Sequence, residues 1–199
     1  MADGKTIGFY GDSFCADPSE QSWTNIISKK LNATIVNKGK NGHSIWTAIL
    51  DFIKNPTPTY SIFCWTSPHR LYHPKYPTNP HSQSIDEEFD DALKKHFTFL
   101  WHEEKEILNY KWTIEYFNEN ILKNAKTNLI QCNCFNQKDF GSDILINFTQ
   151  GKIFPKDLLA FSGFTIQDHI EKKNLDLINH MSPEKNLLLS TEIYNLINA

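Results

Sequence analysis

The sequence predicts an α/β fold in three layers, with helices on both faces of a mainly parallel sheet. A strand, helix, strand succession opens the chain, further short apolar runs follow at 60–65 and 128–135, and amphipathic helical stretches separate them. With 199 residues, 40% of them apolar, the chain can bury a substantial core, so we expect one domain over 1–199.

An apolar run over about 6–10 reads as a buried strand, and Gly11-Asp12-Ser13 breaks it where an open sheet would release its chain. Ser13 is therefore placed at a strand's carboxyl end, the edge at which such sheets form their crevices. Trp23, Ile26, Ile27 and Leu31 give a first helix over about 21–31, and 34–37 gives a second strand, completing the unit that builds parallel sheets. The turn Asn37-Lys38-Gly39-Lys40-Asn41-Gly42-His43-Ser44 leads into a helix over about 44–54, with Ile45, Ala48, Ile49 and Phe52 on one face. Pro56 and Pro58 end it.

The third strand runs into Thr66-Ser67-Pro68, and 69–84, rich in proline and histidine, has no apolar period. It predicts an irregular loop over the same edge as Ser13, the first part of an irregular and helical insertion at about 69–105. Two helices are expected within 85–125, one with the stripe Phe89, Leu93, Phe97, Leu100 and Trp101, the next with Ile107, Leu108, Trp112, Tyr116 and Ile121. The run Asp86-Glu87-Glu88 suits a helix N-terminus, where the macrodipole favours negative charge. Residues 137–167, punctuated by Gly141, Gly151, Pro155 and Gly163, give no assignment. Beyond them Ser182 and Pro183, a cap and a first helical residue, open a closing helix carrying Leu187, Leu188, Leu189, Ile193, Leu196 and Ile197.

Composition excludes several classes of function. A net charge of −3 with scattered Lys and Arg lacks the clustered positive charge that nucleic acid requires. The amino end has no basic segment followed by a long apolar run, and no stretch is long enough to cross a bilayer, so we expect a soluble, cytoplasmic protein. Cys15, Cys64, Cys132 and Cys134 fit buried reduced thiols in that compartment. His69, His73 and His81 share one loop, but the prolines between them prevent a helical presentation, and Cys132-Asn133-Cys134 has the wrong gap for a redox pair. No metal and no cofactor is expected, and the sequence sets no oligomeric state.

Chemistry concentrates on two residues. A serine hydroxyl becomes nucleophilic when a base takes its proton, and the usual base is a histidine. Ser13 follows a strand, while His180 precedes the last helix on a loop that can return to the same edge. Asp12 is expected to be structural, tying its turn through local backbone bonds.

Gly11-Asp12-Ser13 after the first strand, the Gly- and Asn-rich turn after the second, and His180 before the closing helix resemble, in order and placement, the SGNH (GDSL-type) hydrolase superfamily over nearly the whole chain. The resemblance implies a flavodoxin-like sandwich and an esterase that needs no metal. It places Ser13 on the nucleophile and Gly39 on the glycine whose N–H joins that of Ser13 in the oxyanion hole. The family's third block supplies an asparagine to that hole, whereas this turn reads Trp65-Thr66-Ser67-Pro68, leaving Ser67 or Thr66 as a hydroxyl donor and Arg70 or His69 as substitutes. The family's aspartate stands three residues before the histidine, a position held here by Leu177. Asp176, four before, is the favoured acid; Asp168 or a Ser-His dyad are the alternatives.

The expected reaction is hydrolysis of a short acyl or O-acetyl ester on a small molecule or glycan. The rival is an SGNH-like module that binds a glycan or acyl ligand without turnover, with Tyr72, Tyr76 and Trp101 stacking on sugar rings.

Overall fold

A computed structural model describes residues 4–55, 57–78, 86–140, 146–165 and 177–199. Its elements run β1 (Lys5–Gly11), α1 (Trp23–Leu31), β2 (Ala33–Asn37), α2 (Ile45–Lys54), β3 (Tyr60–Trp65), α3 (Glu87–Phe99), α4 (Glu103–Asn120), β4 (Asn128–Asn133), β5 (Lys152–Ile153), α5 (Leu158–Ser162) and α6 (Pro183–Asn198). The five strands lie in the order β2-β1-β3-β4-β5, and every pairing is parallel. This is the flavodoxin-like order, in which the chain changes direction of growth between β1 and β3 and opens a crevice at their carboxyl ends.

Alternation along the strands sorts side chains onto two apolar layers. Ile7, Phe9, Ile62, Cys64, Ile130 and Cys132 join one cluster with residues of α1 and α6. Tyr10, Phe63 and Trp65 join the other, with residues of α2 and α4. The second layer is an aromatic stack, with Phe63 centred 4.9 Å from both Tyr10 and Trp65. Helix ends follow local chemistry. Ser22 caps α1 by accepting from Asn25 N–H, and Asn32, at φ 50°, ends it in the left-handed region. Ser182 caps α6 with Pro183 at its first position.

Three expectations need correction. In α4 the buried residues are Ile107, Tyr110, Ile114, Phe117 and Asn118, while Trp112 and Tyr116 are 57% and 67% exposed. Residues 107, 110, 114 and 117 keep the helical i, i+3, i+7 track, whereas Trp112 stands five residues from Ile107, about 140° around the axis. In α3 only Leu93 is buried, and Leu100 beyond it is 71% exposed. In α6 Leu187 and Leu188 point outward, and Asn186, Leu189, Ser190 and Ile193 are buried.

The unassigned stretch contributes β5 and α5. Both residues of β5 are exposed, so no apolar period could announce a strand there. Gly141 and 166–167 lie outside the described residues, as do 79–85 of the expected insertion. Among the described residues no helix is long and apolar enough to cross a membrane.

Candidate active site

The turn that carries Ser13 is built by Asp12. Ser13 opens a 3-10 turn, Ser13–Cys15, at the end of β1, and the Asp12 carboxylate accepts from Phe14 N–H at 3.0 Å as its cap. Asp12 is fully buried and gathers bonds from elsewhere in the chain. Thr66 Oγ1 donates to its Oδ2 at 2.5 Å, Cys134 Sγ lies 3.5 Å from its Oδ1, and Arg70 Nη1 pairs with Oδ2 at 2.9 Å. Arg70 Nη1 is also 3.3 Å from the His43 carbonyl, and Tyr110 OH donates to the Thr66 carbonyl at 2.6 Å. One carboxylate thus ties together the loops that follow β1, β3 and β4, and Arg70 extends the network to the turn after β2.

His180 arrives from the other end of the chain on a tight turn. Ile178 and Met181 exchange backbone bonds of 3.0 Å, and the two residues between them, Asn179 and His180, have φ of 51° and 62°. Asn and His tolerate this left-handed region better than most residues, but it still costs free energy and persists because the surroundings hold it. Two asparagines do the holding. Asn179 Oδ1 accepts from Asp17 N–H at 2.8 Å, and Asn186, fully buried, accepts from Trp23 N–H at 2.9 Å while its amide donates to the carbonyls of Ile178 and Met181.

The result is a bond of 2.6 Å between His180 Nε2 and Ser13 Oγ, across 167 positions of sequence. The imidazole also packs against Phe14, ring centroids 4.8 Å apart, and Phe14 meets Phe135 edge-on. A short hydroxyl–imidazole contact beside an apolar wall is the geometry in which a histidine can draw a proton from serine.

The remaining predicted residues are placed as follows. Gly39 is pressed against the Ser13 turn, where a Cβ would come within 2.5 Å of Cys15 Sγ and 2.6 Å of the Asp12 carbonyl oxygen, so no side chain fits. Its N–H donates to the Cys15 carbonyl at 3.3 Å. Gly42, at φ 71°, lies directly beneath Pro77, which seats the proline-rich loop on the turn after β2.

Ser67 Oγ is 3.0 Å from His69 Nδ1, and His69 Nε2 is 3.4 Å from Glu103 Oε1. Thr66 and Arg70, the other expected donors, are directed to Asp12; Arg70, with its side chain 10% exposed, is no solvated loop residue. Asp176 and Asp168 lie outside the described residues, as does His81. Tyr76 stacks on His73 at 5.0 Å and Trp101 lies 5.4 Å from His69, so these rings have protein neighbours, while Tyr72 is 45% exposed.

Burial sets the ionisation of several neighbours. Desolvation pushes the thiol of Cys134 and the hydroxyl of Tyr110 well above their ordinary ranges, and it raises Tyr10 to about 12. Hydrogen bonding with Cys132 and Cys15 that favours its thiol form, followed by burial, does the same for Cys64. His43 is lowered by desolvation and then by the nearby Lys40. All four cysteines are buried free thiols, and among the described residues no group of His, Cys, Asp and Glu gathers as a metal site.

Sequence reasoning missed the Asp12–Arg70 pair and Asn186. The sequence offers Arg70 only as a substitute donor, and its pairing with Asp12 carried no signal, since the two are distant in sequence. Asn186 did carry one, because it shares the helical phase of Leu189, Ser190 and Ile193 and is therefore a polar residue on a buried face.

No protein-family model and no curated protein matches the chain. Solved structures do. One is a carbohydrate esterase whose active site displays divergent catalytic and non-catalytic binding functions; at 14% identity and a TM-score of 0.50, the match covers 98% of this chain and 68% of that one. Another belongs to a lipolytic protein assigned to the G-D-S-L family from Desulfitobacterium hafniense DCB-2, also 14% identical with a TM-score of 0.50, covering 96% and 99%.

Proposed function

We propose that this chain, which has the fold of the GDSL-type (SGNH) hydrolases, is a serine esterase acting on a short acyl or O-acetyl ester of a small molecule or glycan. The observation that carries the reading is the 2.6 Å bond from Ser13 Oγ to His180 Nε2 at the crevice between β1 and β3. Ser13 attacks the acyl carbonyl as His180 takes its proton. The ester C–O bond then breaks as His180 returns that proton to the leaving alcohol. Water, deprotonated by His180, attacks the acyl-enzyme and releases the carboxylic acid and free Ser13.

Ser13 N–H and Gly39 N–H are the proposed oxyanion donors, with Ser67 Oγ as a third. The bond from Gly39 to Cys15 is long, and catalytic donors often reach their working geometry only with substrate bound. Asp176 is the proposed acid behind His180, so Asp176→Asn should slow turnover more than Asp168→Asn.

The test is labelling by a fluorophosphonate probe. Wild type reacts and Ser13→Ala does not; a folded wild type left unlabelled defeats the proposal. A second reading, glycan binding without turnover, draws on the engagement of Ser67 by His69 and on the non-catalytic binding named for the carbohydrate esterase. Glycan binding with neither labelling nor hydrolysis of acetylated glycans would select it.

A further inference from the structure

We infer that Arg70 is a positioning residue for the nucleophile, holding Asp12 under Ser13 and cancelling its charge while negative charge develops on the reacting carbonyl. The inference rests on Ser13 being the nucleophile, as proposed above. Asp12 is the residue immediately before Ser13, is fully buried, and caps the turn through Phe14 N–H. An uncompensated carboxylate there would oppose an oxyanion formed one residue away, in surroundings where charges are weakly screened. Arg70 meets Asp12 at 2.9 Å and adds the one positive charge among Asp12's described partners; Thr66, Phe14 and Cys134 contribute only neutral donors.

Its origin is informative as well. Arg70 belongs to the loop after β3, and its second contact, the His43 carbonyl, belongs to the turn after β2 that carries Gly39. A structural clamp alone could be assembled from neutral hydrogen bonds. Burying a full ion pair carries a desolvation cost that its own attraction often does no more than offset, and replacing such pairs by neutral groups is often neutral for stability, so stability alone does not call for the charge.

This separates a charge role from a packing role. Second-order fluorophosphonate labelling rates would be measured for Arg70→Lys, Arg70→Met and the double variant Asp12→Asn/Arg70→Met, each checked for folding by near-ultraviolet circular dichroism. The charge role predicts Arg70→Lys within about fivefold of wild type and Arg70→Met about 10²-fold slower. It further predicts that the double variant recovers to within about tenfold of wild type, because the amide that replaces the Asp12 carboxylate leaves no charge to cancel. With a chromogenic acetyl ester the Arg70→Met loss falls on kcat rather than KM.

Arg70→Met at the wild-type rate, or a double variant slower than Arg70→Met, overturns the inference while leaving the esterase reading intact. Should Arg70→Met not fold, a folded double variant slowed by about 10²-fold or more overturns it equally. An unlabelled wild type overturns both.

Discussion

At the amino edge of the sheet Thr6 and Thr59 exchange reciprocal bonds of 3.2 and 3.1 Å, and Thr127 donates to Ser61 at 2.9 Å; at the carboxyl edge the loops after β1 and β3 hold a buried ion pair, and the turn before α6 brings two left-handed residues. The threonine bonds are neutral and partly exposed, so water can replace either partner at little cost. The carboxyl edge holds a charge, a constrained turn and close backbone contacts that water cannot replace. The buried ion pair and the constrained His180 turn thus lie at one end of a sheet whose other end is held by interchangeable threonine bonds, and that asymmetry marks the end where chemistry is proposed.

The largest effect that would sharpen this contrast is at His180. Replacing it by Gly is expected to slow fluorophosphonate labelling by at least about 10³-fold while leaving thermal stability equal or up to about 1 kcal/mol higher, because Gly adopts φ 62° freely. A large drop in melting temperature would count against strain at this turn. Asn186→Ala comes next. It leaves Trp23 N–H and two carbonyls of the His180 turn without their partner, and we expect a loss of about 2–4 kcal/mol in urea unfolding.

Gly39→Ala forces a Cβ against Cys15 and Asp12 and should cost about 1–3 kcal/mol by the same measurement, with slower labelling. Thr59→Val, at the opposite edge, should cost about 1 kcal/mol or less and leave the labelling rate within about twofold. A labelling defect there would erase the distinction between the edges.

The smallest effect concerns pH. Burial lowers His43 below the ordinary imidazole value of 6.5, so the unfolded chain binds that proton first as pH falls. Stability conferred by neutral His43 is present above about 6.5 and declines as pH drops toward the lowered value. Melting curves of His43→Gln should show a shallower decline over that window, and superimposable curves would remove His43 from the account.

Much of this was readable in the chain. The first three parallel strands and their helices follow from local signals, among them an apolar run cut by Gly11-Asp12-Ser13 and a cap at Ser182 that marks the start of the last helix; the expectation that Ser13 meets His180 rests on the family resemblance. What was not readable depended on distance or on competing patterns. Arg70 finds Asp12 only after β1 and β3 pair, and no spacing rule links them. Trp112 and Tyr116 mimic a core stripe, and only the packing of Tyr110, Ile114 and Phe117 against the sheet decides which track faces inward. β5, two exposed residues long, had no pattern to read.

Because the hydroxyl comes from the first strand's end and the imidazole from just ahead of the final helix, a growing polypeptide carries the first long before the second. On the proposed mechanism the two groups are brought together only when the final helix docks beside α1, so no activity is expected before that step. Cutting the gene between α4 and β4 would yield two halves, each lacking one of the two groups, and the fluorophosphonate labelling expected of the proposed esterase should return only on their reunion.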